Sequence, residues 1–281
     1  MRPRARAPHL CGGAPNLICH LAARAGVRAS IDDPYNYLAS NVEGTLVLLE
    51  ETRKAEGLVR NFVFASSSSV YGNAARAQLS EDDKTDAPIS PYAATKKMIE
   101  LLAYTYSHLH GIKCSGLRFF TVYGPRGRPD MAAFKFIHRI YNELSIDRYG
   151  DGSTKRDYTY IDDIVSGVVA ALDTPRDFEV YNLGNGSPVL LSKMISIIEK
   201  ATGKRAVINT LPQQAGDVDM TNADISKASA LLGYKPSTPL EEGLVKTVEW
   251  YRDEFVLRRE LTAEDLESLR SFVRQGADLI L

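Results

Sequence analysis

The sequence predicts an α/β fold built on a doubly wound parallel sheet. Short apolar segments at 16–22, 62–65 and 113–120 alternate with segments at 34–57 and 90–110 whose apolar residues recur at helical spacing. Such alternation is typical of βαβ units with right-handed crossovers. Gly57 and Gly111 follow the last apolar residues of the two helical segments, and glycine is common at a helix C-terminus, so both are predicted to mark helix ends.

Beyond Gly124 the segments become shorter, and Gly, Pro and Asp are frequent. Helices are predicted at 160–172, 191–202, 226–232 and 239–251, and a strand at 180–183. We expect this half, 125–255, to form a smaller C-terminal α/β lobe interleaved with the sheet. Residues 1–16 are expected to be an unstructured leader and 256–281 a helical tail.

Composition excludes several classes of protein. The 281 residues carry a formal net charge of -1, which does not favour nucleic acid or anionic lipid as a partner. The three cysteines are too few and too scattered for a disulfide framework, and no metal site is expected. No apolar run approaches the ~20 residues of a membrane span. A reducing, cytoplasmic location is the simplest interpretation.

One helix and the strand before it carry candidate catalytic groups. Tyr92 and Lys96 are separated by four residues, so they share a helix face. We expect the ammonium to lower the pKa of the phenol, as an opposite charge does. A serine run that includes Ser67 follows the strand at 62–65. Hydroxyl, phenol and ammonium at the carboxyl end of a parallel strand suit proton transfer in carbonyl and alcohol redox chemistry. A helix-surface pair without function is the alternative for Tyr92 and Lys96 taken alone.

These motifs resemble the extended short-chain dehydrogenase/reductase superfamily, and within it the nucleotide-sugar epimerases. The resemblance covers roughly residues 17–251. The matching stretches are His20–Arg28, Asn41–Thr45, Ala65–Gly72, Ser90–Lys96, Arg118–Pro125, Gly127–Met131, Arg156–Asp163 and Gly216–Val218. The resemblance implies a Rossmann-like sheet, with NAD as the cofactor and a UDP-sugar as the substrate.

The resemblance also implies roles for individual residues. Ser67, Tyr92 and Lys96 match the catalytic set. The positions that match the NAD site are Leu21, Ala22, Ala23, Asn41, Ser66, Tyr92, Lys96 and Phe119. The positions that match the substrate site are Ser68, Thr121, Arg128, Arg156 and Asp217. Among these, Arg128 is expected to meet a sugar carboxylate, Arg156 a phosphate and Asp217 the uridine ribose, which suits the chemistry of an arginine fork and of a short acid.

The serine run bears on the reaction. Related 4,6-dehydratases and UDP-glucuronate decarboxylases carry acids where this chain has Ser68 and Ser69, so simple oxidation and re-reduction at C4 is implied. The segment from Gly127 to Met131 favours a uronic acid. The expected activity is therefore interconversion of UDP-glucuronate and UDP-galacturonate, with another UDP-hexose epimerase as an alternative. The helices at 35–57 and 91–110 are expected to form a homodimer interface.

The chain departs from the family at its start. The Gly-x-x-Gly-x-x-Gly turn that holds the pyrophosphate at a helix N-terminus is absent from the sequence. Residues 17–124 are therefore expected to form a partial, N-terminally truncated NAD-binding domain. Three accounts remain open: a misassigned or truncated start, a redox-inactive nucleotide-sugar-binding protein, and a remnant that pairs with another subunit.

Overall fold

A computed structural model describes residues 16–55, 57–74, 77–212 and 220–257. Within these ranges the strands are β1 (Leu17–His20), β2 (Asn61–Ser67), β3 (Cys114–Phe119), β4 (Thr121–Tyr123), β5 (Ile146–Tyr149), β6 (Lys155–Arg156), β7 (Tyr158–Tyr160), β8 (Phe178–Leu183), β9 (Val189–Leu190) and β10 (Ile208–Leu211). The helices are α1 (Val27–Asp32), α2 (Pro34–Tyr37), α3 (Gly44–Lys54), α4 (Pro91–His110), α5 (Ala132–Tyr141), α6 (Ile161–Asp173), α7 (Leu191–Thr202), α8 (Ser226–Leu232) and α9 (Leu240–Arg252). Leu38–Glu43 and Asp253–Leu257 are π-helical, and Ser68–Tyr71 is a 3₁₀ turn.

The main sheet has the order β1-β2-β3-β8, and all its neighbouring strands are parallel. The predicted parallel α/β sheet is therefore confirmed. Ser66 on β2 lies opposite Arg118 on β3, and Arg118 lies opposite Asn182 on β8. Because the strands run in one direction, their carboxyl ends meet at one edge, which is where open α/β sheets bind ligands.

Helices cover both faces of this sheet. Phe62 and Phe64 of β2 pack with Leu49 of α3 and Ile99 of α4 on one face. Val63 points the other way, into a cluster with residues of α6 and α8. Successive strand residues alternate between faces, so one short apolar run supplies both layers. The sheet is thus doubly wound, as predicted.

A separate core lies in the C-terminal half. Phe134, Ile137 and Ile140 of α5 pack with buried residues of α7 and α9. Three two-stranded pairs, β4–β7, β5–β10 and β6–β9, accompany this core. Strand β8 belongs to the main sheet, so the C-terminal half also contributes a strand to that sheet. The boundary at residue 124 stays a prediction.

Most predicted elements lie within a few residues of the observed ones, and α7 and α8 have the predicted bounds. The predicted helix at 34–57 is instead α2, a π-helical stretch and α3, ending at Lys54. Helix α5, which follows the turn-forming residues Gly127, Pro129 and Asp130, was not predicted. The predicted leader and tail fall almost wholly outside the described residues. No helix in the described ranges is long and apolar enough to cross a membrane.

Candidate active site

Helix α4 presents Tyr92 in its first turn. Ser90 has extended backbone angles, and its Oγ accepts a hydrogen bond from the Ala93 amide at 3.1 Å. Pro91 occupies the first helical position, where its missing N–H costs nothing. The Tyr92 amide donates to Ser30 Oγ at 3.0 Å, and the Tyr92 ring meets the Tyr37 ring edge-on at 6.2 Å between centroids. Helix α1 thus holds the backbone of Tyr92, and α2 contacts its ring.

Ser67 ends β2 and begins the 3₁₀ turn that follows. Its side chain accepts a hydrogen bond from the Ser69 amide at 3.2 Å, which caps the turn. The Ser67 side chain also lies close enough to the phenol to act to lower the pKa of Tyr92. The structure therefore brings Ser67 and Tyr92 together at the carboxyl edge of the sheet.

Lys96 is buried, with 3% of its surface exposed. Its Nζ donates to the Ala65 carbonyl at 2.7 Å and lies 5.9 Å from the centroid of the Tyr92 ring. Burial lowers the pKa of Lys96 to about 8, because leaving water disfavours the charged form. Among the described residues the ammonium has one hydrogen-bond acceptor, so N–H donors remain for a ligand.

The expectation that Lys96 lowers the pKa of Tyr92 is wrong for this arrangement. The pKa of Tyr92 is raised, because burial outweighs the opposing effects of the Ser67 hydrogen bond and the Arg128 charge. Lys96 is not among those opposing charges. The physical reason is that both groups have left water, and desolvation disfavours phenolate and ammonium alike.

The positions expected to line the NAD site divide into two groups. Leu21, Ala22 and Ala23 follow β1 and are exposed, whereas Asn41 is buried. Asn41 Oδ1 accepts from the Arg24 amide at 2.8 Å, and its Nδ2 donates to the Arg24 carbonyl at 3.0 Å. Asn41 thus fixes the segment after β1 rather than offering its amide to a ligand.

Ser66 and Phe119 stand at the ends of β2 and β3. The Ser66 hydroxyl is turned inward and donates to Glu100 at 2.6 Å, while Phe119 is partly exposed. The exposed segment after β1 and the N–H groups of Lys96 that have no described acceptor would suit the part of NAD that lies against α4. These groups would hold that part, and Ser66 would offer only its backbone.

The positions expected to bind substrate lie in several segments. Arg128 is exposed and pairs with Asp130, with 3.0 Å between Nε and Oδ1, and it also donates to the Ala25 carbonyl at 3.3 Å. Its charge acts on the Tyr92 phenol, so Arg128 borders the candidate catalytic residues. Thr121 begins β4, Ser68 begins the 3₁₀ turn, and both are partly exposed.

Arg156 and Asp217 are the remaining substrate positions. Arg156 lies on β6 in the C-terminal half and donates to the Lys155 carbonyl at 3.0 Å. Asp217 lies outside the described residues. The roles of both stay predictions.

Sequence reasoning missed a buried polar cluster behind the site. Arg118 makes two 2.9 Å hydrogen bonds to the Glu100 carboxylate, through Nε and Nη2. Arg118 also donates to the Tyr71 hydroxyl at 2.9 Å, and Tyr71 donates to Asn182 at 2.7 Å. Glu100 follows Lys96 by four residues, so the spacing that singled out Lys96 could also have indicated Glu100.

A family model described as the NAD dependent epimerase/dehydratase family matches residues 8–184. UDP-glucuronate 4-epimerase of Thermodesulfobacterium geofontis is 50% identical over 241 residues, which are 85% of this chain and 73% of that enzyme. The structure of UDP-glucuronic acid 4-epimerase from Bacillus cereus, in complex with UDP-glucuronic acid and NAD, is similar at 40% identity and a TM-score of 0.79. The match covers 84% of this chain and 75% of the Bacillus cereus chain.

A relative with a different sugar is also similar. The UDP-glucose 4-epimerase of Thermotoga maritima, solved with UDP-glucose, has 32% identity and a TM-score of 0.80, covering 85% of this chain and 78% of its own. The family model matches more than half of the chain, and the relatives match 84–85% of it at 32–50% identity. The chain therefore belongs to the NAD-dependent epimerase/dehydratase family.

Proposed function

We propose that this chain is an NAD-dependent UDP-sugar 4-epimerase that interconverts UDP-glucuronate and UDP-galacturonate. The observation that carries the proposal is the meeting of Ser67, Tyr92 and Lys96 at the carboxyl edge of the parallel sheet. The identity to UDP-glucuronate 4-epimerase of Thermodesulfobacterium geofontis, 50% over 85% of the chain, supports the same activity.

The proposed chemistry assigns a task to each of the three groups. Tyr92, in its phenolate form, removes the proton of the C4 hydroxyl and later returns that proton to the same oxygen. Burial disfavours the phenolate, and the positive charge of NAD⁺, when bound, would favour it. Ser67 donates a hydrogen bond to that oxygen, and Lys96 would hold hydroxyl groups of the bound cofactor. NAD⁺, when bound, supplies the acceptor for the C4 hydride. Epimerisation follows because the re-reduction takes place on the opposite face of the sugar.

The preference for a uronate rests on Arg128 and on the serines after Ser67. A guanidinium fork suits a carboxylate, and Arg128 lies close enough to the phenol to affect its pKa. Ser68 and Ser69 do not titrate at neutral pH, so they cannot serve the additional proton transfers of dehydration. Thr121 and Ser68 are assigned to the sugar, Arg156 to a phosphate and Asp217 to the uridine ribose.

The test is an epimerase assay on the purified chain with UDP-glucuronate, UDP-glucose and UDP-N-acetylglucosamine supplied separately with NAD⁺. We expect turnover of UDP-glucuronate to exceed that of the other two. Tyr92→Phe should lower kcat by about 10²–10⁴-fold, the range for general acid–base groups. Tyr104→Phe is the matched control, since Tyr104 is on the same helix but is 54% exposed.

The outcomes separate the candidates. Faster turnover of UDP-glucose would replace the uronate assignment with another hexose. If the chain binds UDP-sugars but turns over none of them, the proposed epimerase activity is contradicted and a redox-inactive binding protein is favoured. A fully active Tyr92→Phe protein would remove Tyr92 from its role.

We also propose that the protein is a homodimer through the helices at 35–57 and 91–110. Apolar side chains on the outer surfaces of α3 and α4 support this, including Val47 at 40%, Leu101 at 55% and Leu109 at 64% exposure. Light scattering should give twice the mass of the chain, and Leu101→Glu should give the monomer mass. A monomeric wild-type protein would contradict the proposal.

A cytoplasmic location is proposed on chemical grounds. Cys19 and Cys114 are both free thiols in the structure, which is usual in a reducing compartment. Fractionation of the native host should recover the protein with cytoplasmic enzymes, and recovery in a secreted or periplasmic fraction would contradict this location.

A further inference from the structure

A stripe on α4 continues beyond Tyr92 and Lys96. Glu100 follows Lys96 by four residues, so the three side chains share one helix face. They meet three consecutive residues of β2, because Glu100 accepts from Ser66 Oγ at 2.6 Å and Lys96 donates to the Ala65 carbonyl at 2.7 Å. Ser67, the next residue, is the one that acts on the Tyr92 phenol. Ala65, Ser66 and Ser67 at the end of β2 therefore each interact with a different side chain of α4.

Arg118 makes this attachment rigid. Its guanidinium grips both Glu100 oxygens at 2.9 Å, and the two side chains are 4% and 3% exposed. Its third contact is the Tyr71 hydroxyl at 2.9 Å. Ser66 and Tyr71 flank the four residues between them, which include Ser67 and Ser68. One buried ion pair thus holds that segment at both of its ends.

Such an ion pair is costly as a means of stabilising a fold, since apolar residues of similar volume often do as well. Its geometry has another use here. Ser66 at the end of β2 bonds to Glu100, Tyr71 of the 3₁₀ turn bonds to Arg118, and Glu100 itself belongs to α4, so the pair connects all three elements of the site. Lys97, on the rim, adds a 3.5 Å contact to Glu100.

We propose that Glu100, held by Arg118, is a positioning residue that sets the Ser67 hydroxyl against the Tyr92 phenol. Neither side chain touches substrate or cofactor in this role. The inference rests on the proposed function and adds two residues to its machinery. A displacement of about 1 Å at a reacting group can cost 10²-fold in rate, so small changes at Glu100 should be visible in kcat.

The first test compares Glu100→Gln, Arg118→Lys and Ser66→Ala with the wild type. Ser66→Ala removes one hydrogen bond and leaves the ion pair intact, so it remains informative if the charge-altering variants fold poorly. We expect kcat to fall by about 10–100-fold in Glu100→Gln and Arg118→Lys and by about 3–10-fold in Ser66→Ala. The Kd of UDP-glucuronate, from calorimetry, should change by less than about twofold, because these residues do not touch it.

A double-mutant cycle separates positioning from loss of fold. In a Tyr92→Phe background, Glu100→Gln should lower the residual rate by less than about twofold, since groups that act as a unit are not additive. The matched control is Asp163→Asn, another buried carboxylate, which accepts from the Ser237 and Thr238 amides at 3.1 Å. It should lower Tm but leave kcat within about twofold. An equal rate loss from Glu100→Gln in both backgrounds would overturn the proposal.

A second readout does not depend on turnover. Hydrogen exchange of the amides from Ser67 to Gly72 should accelerate at least tenfold in Glu100→Gln and Ser66→Ala, and remain at the wild-type rate in Asp163→Asn. Unchanged exchange in this segment would refute the positioning role whatever the activity. A wild-type protein that turns over no UDP-sugar would instead contradict the proposed function, while the exchange result would still decide the role of Glu100.

Discussion

Replacing Lys96 with methionine should make the protein more stable and far less active. The Lys96 ammonium is 3% exposed and has one described hydrogen-bond acceptor, the Ala65 carbonyl. A charge held in such a place lowers stability, and burial lowers the pKa of Lys96 from 10.5 to about 8 for the same reason. Methionine has a similar length, no charge and flexibility enough to fill the same space.

The expected gain follows from the pKa. A shift from 10.5 to about 8 corresponds to roughly 3 kcal/mol at about 1.36 kcal/mol per pKa unit. Loss of the hydrogen bond to the buried Ala65 carbonyl destabilises the variant and offsets about 1–2 kcal/mol of that gain. The net stabilisation at pH 7 is therefore about 1–2 kcal/mol, or roughly 3–6 °C in Tm for a chain of this size. The rate should fall by at least about 10²-fold.

Urea unfolding at several pH values provides the assay. Between the folded pKa of about 8 and the ordinary value of 10.5, the unfolded wild-type chain binds more protons than the folded one. Stability of the wild type relative to the variant should therefore rise with pH across this window. The advantage of Lys96→Met should be full at pH 7 and shrink steadily as the pH rises above about 8.

Two results would refute this reasoning. One is a Lys96→Met protein that is less stable than wild type at pH 7. The other is a stability difference that does not change between pH 7 and pH 10. Lys97→Met is the control for stability, because the Lys97 side chain is 23% exposed and contacts Glu100, so its removal should not stabilise the protein.

Other consequences can be measured on single substitutions. Gly116→Ala would place a Cβ 2.7 Å from the Phe64 ring, so we expect a loss of about 1–3 kcal/mol in urea unfolding; an unchanged midpoint would mean that the ring moves aside. Asn41→Ala removes three hydrogen bonds of 2.8–3.0 Å and should cost about 2–3 kcal/mol, with faster amide exchange at residue 24 as its signature. Burial alone would raise the pKa of Glu100, but the hydrogen bonds and charge of Arg118 prevail and lower it from 4.5. That carboxylate therefore contributes stability above about pH 4.5 that is lost as the pH falls through its lower folded value, so the deficit of Glu100→Gln should be full at pH 7 and vanish in acid unfolding curves.

The sequence predicted those elements whose ends carry their own chemical signals. Helix α4 was predicted because Ser90 and Pro91 mark its start and Gly111, at φ 66°, marks its end. Helix α5 has comparable apolar spacing, but it directly follows the turn-forming residues Gly127, Pro129 and Asp130 and was missed. The closeness of the three proposed catalytic residues could likewise be predicted, since Tyr92 and Lys96 depend only on helical spacing and Ser67 on the end of a strand.

Electrostatics could not be predicted in the same way. Whether Lys96 lowers the pKa of Tyr92 depends on how deeply both groups are buried, and that depends on packing of the whole sheet edge. The Glu100–Arg118 pair joins residues 18 positions apart on a helix and a strand, so it becomes visible only once the register of β2 and β3 is known. Long-range register, rather than local propensity, set the limit of prediction here.

The cross-strand row of Ser66, Arg118 and Asn182 restricts how this protein can change during evolution. The three residues stand at one level on β2, β3 and β8. Deleting or inserting a single residue upstream within any of these strands would turn its polar side chain to the opposite face. Length changes are therefore expected in the loops beyond the strand ends, where they leave the row of polar side chains in register.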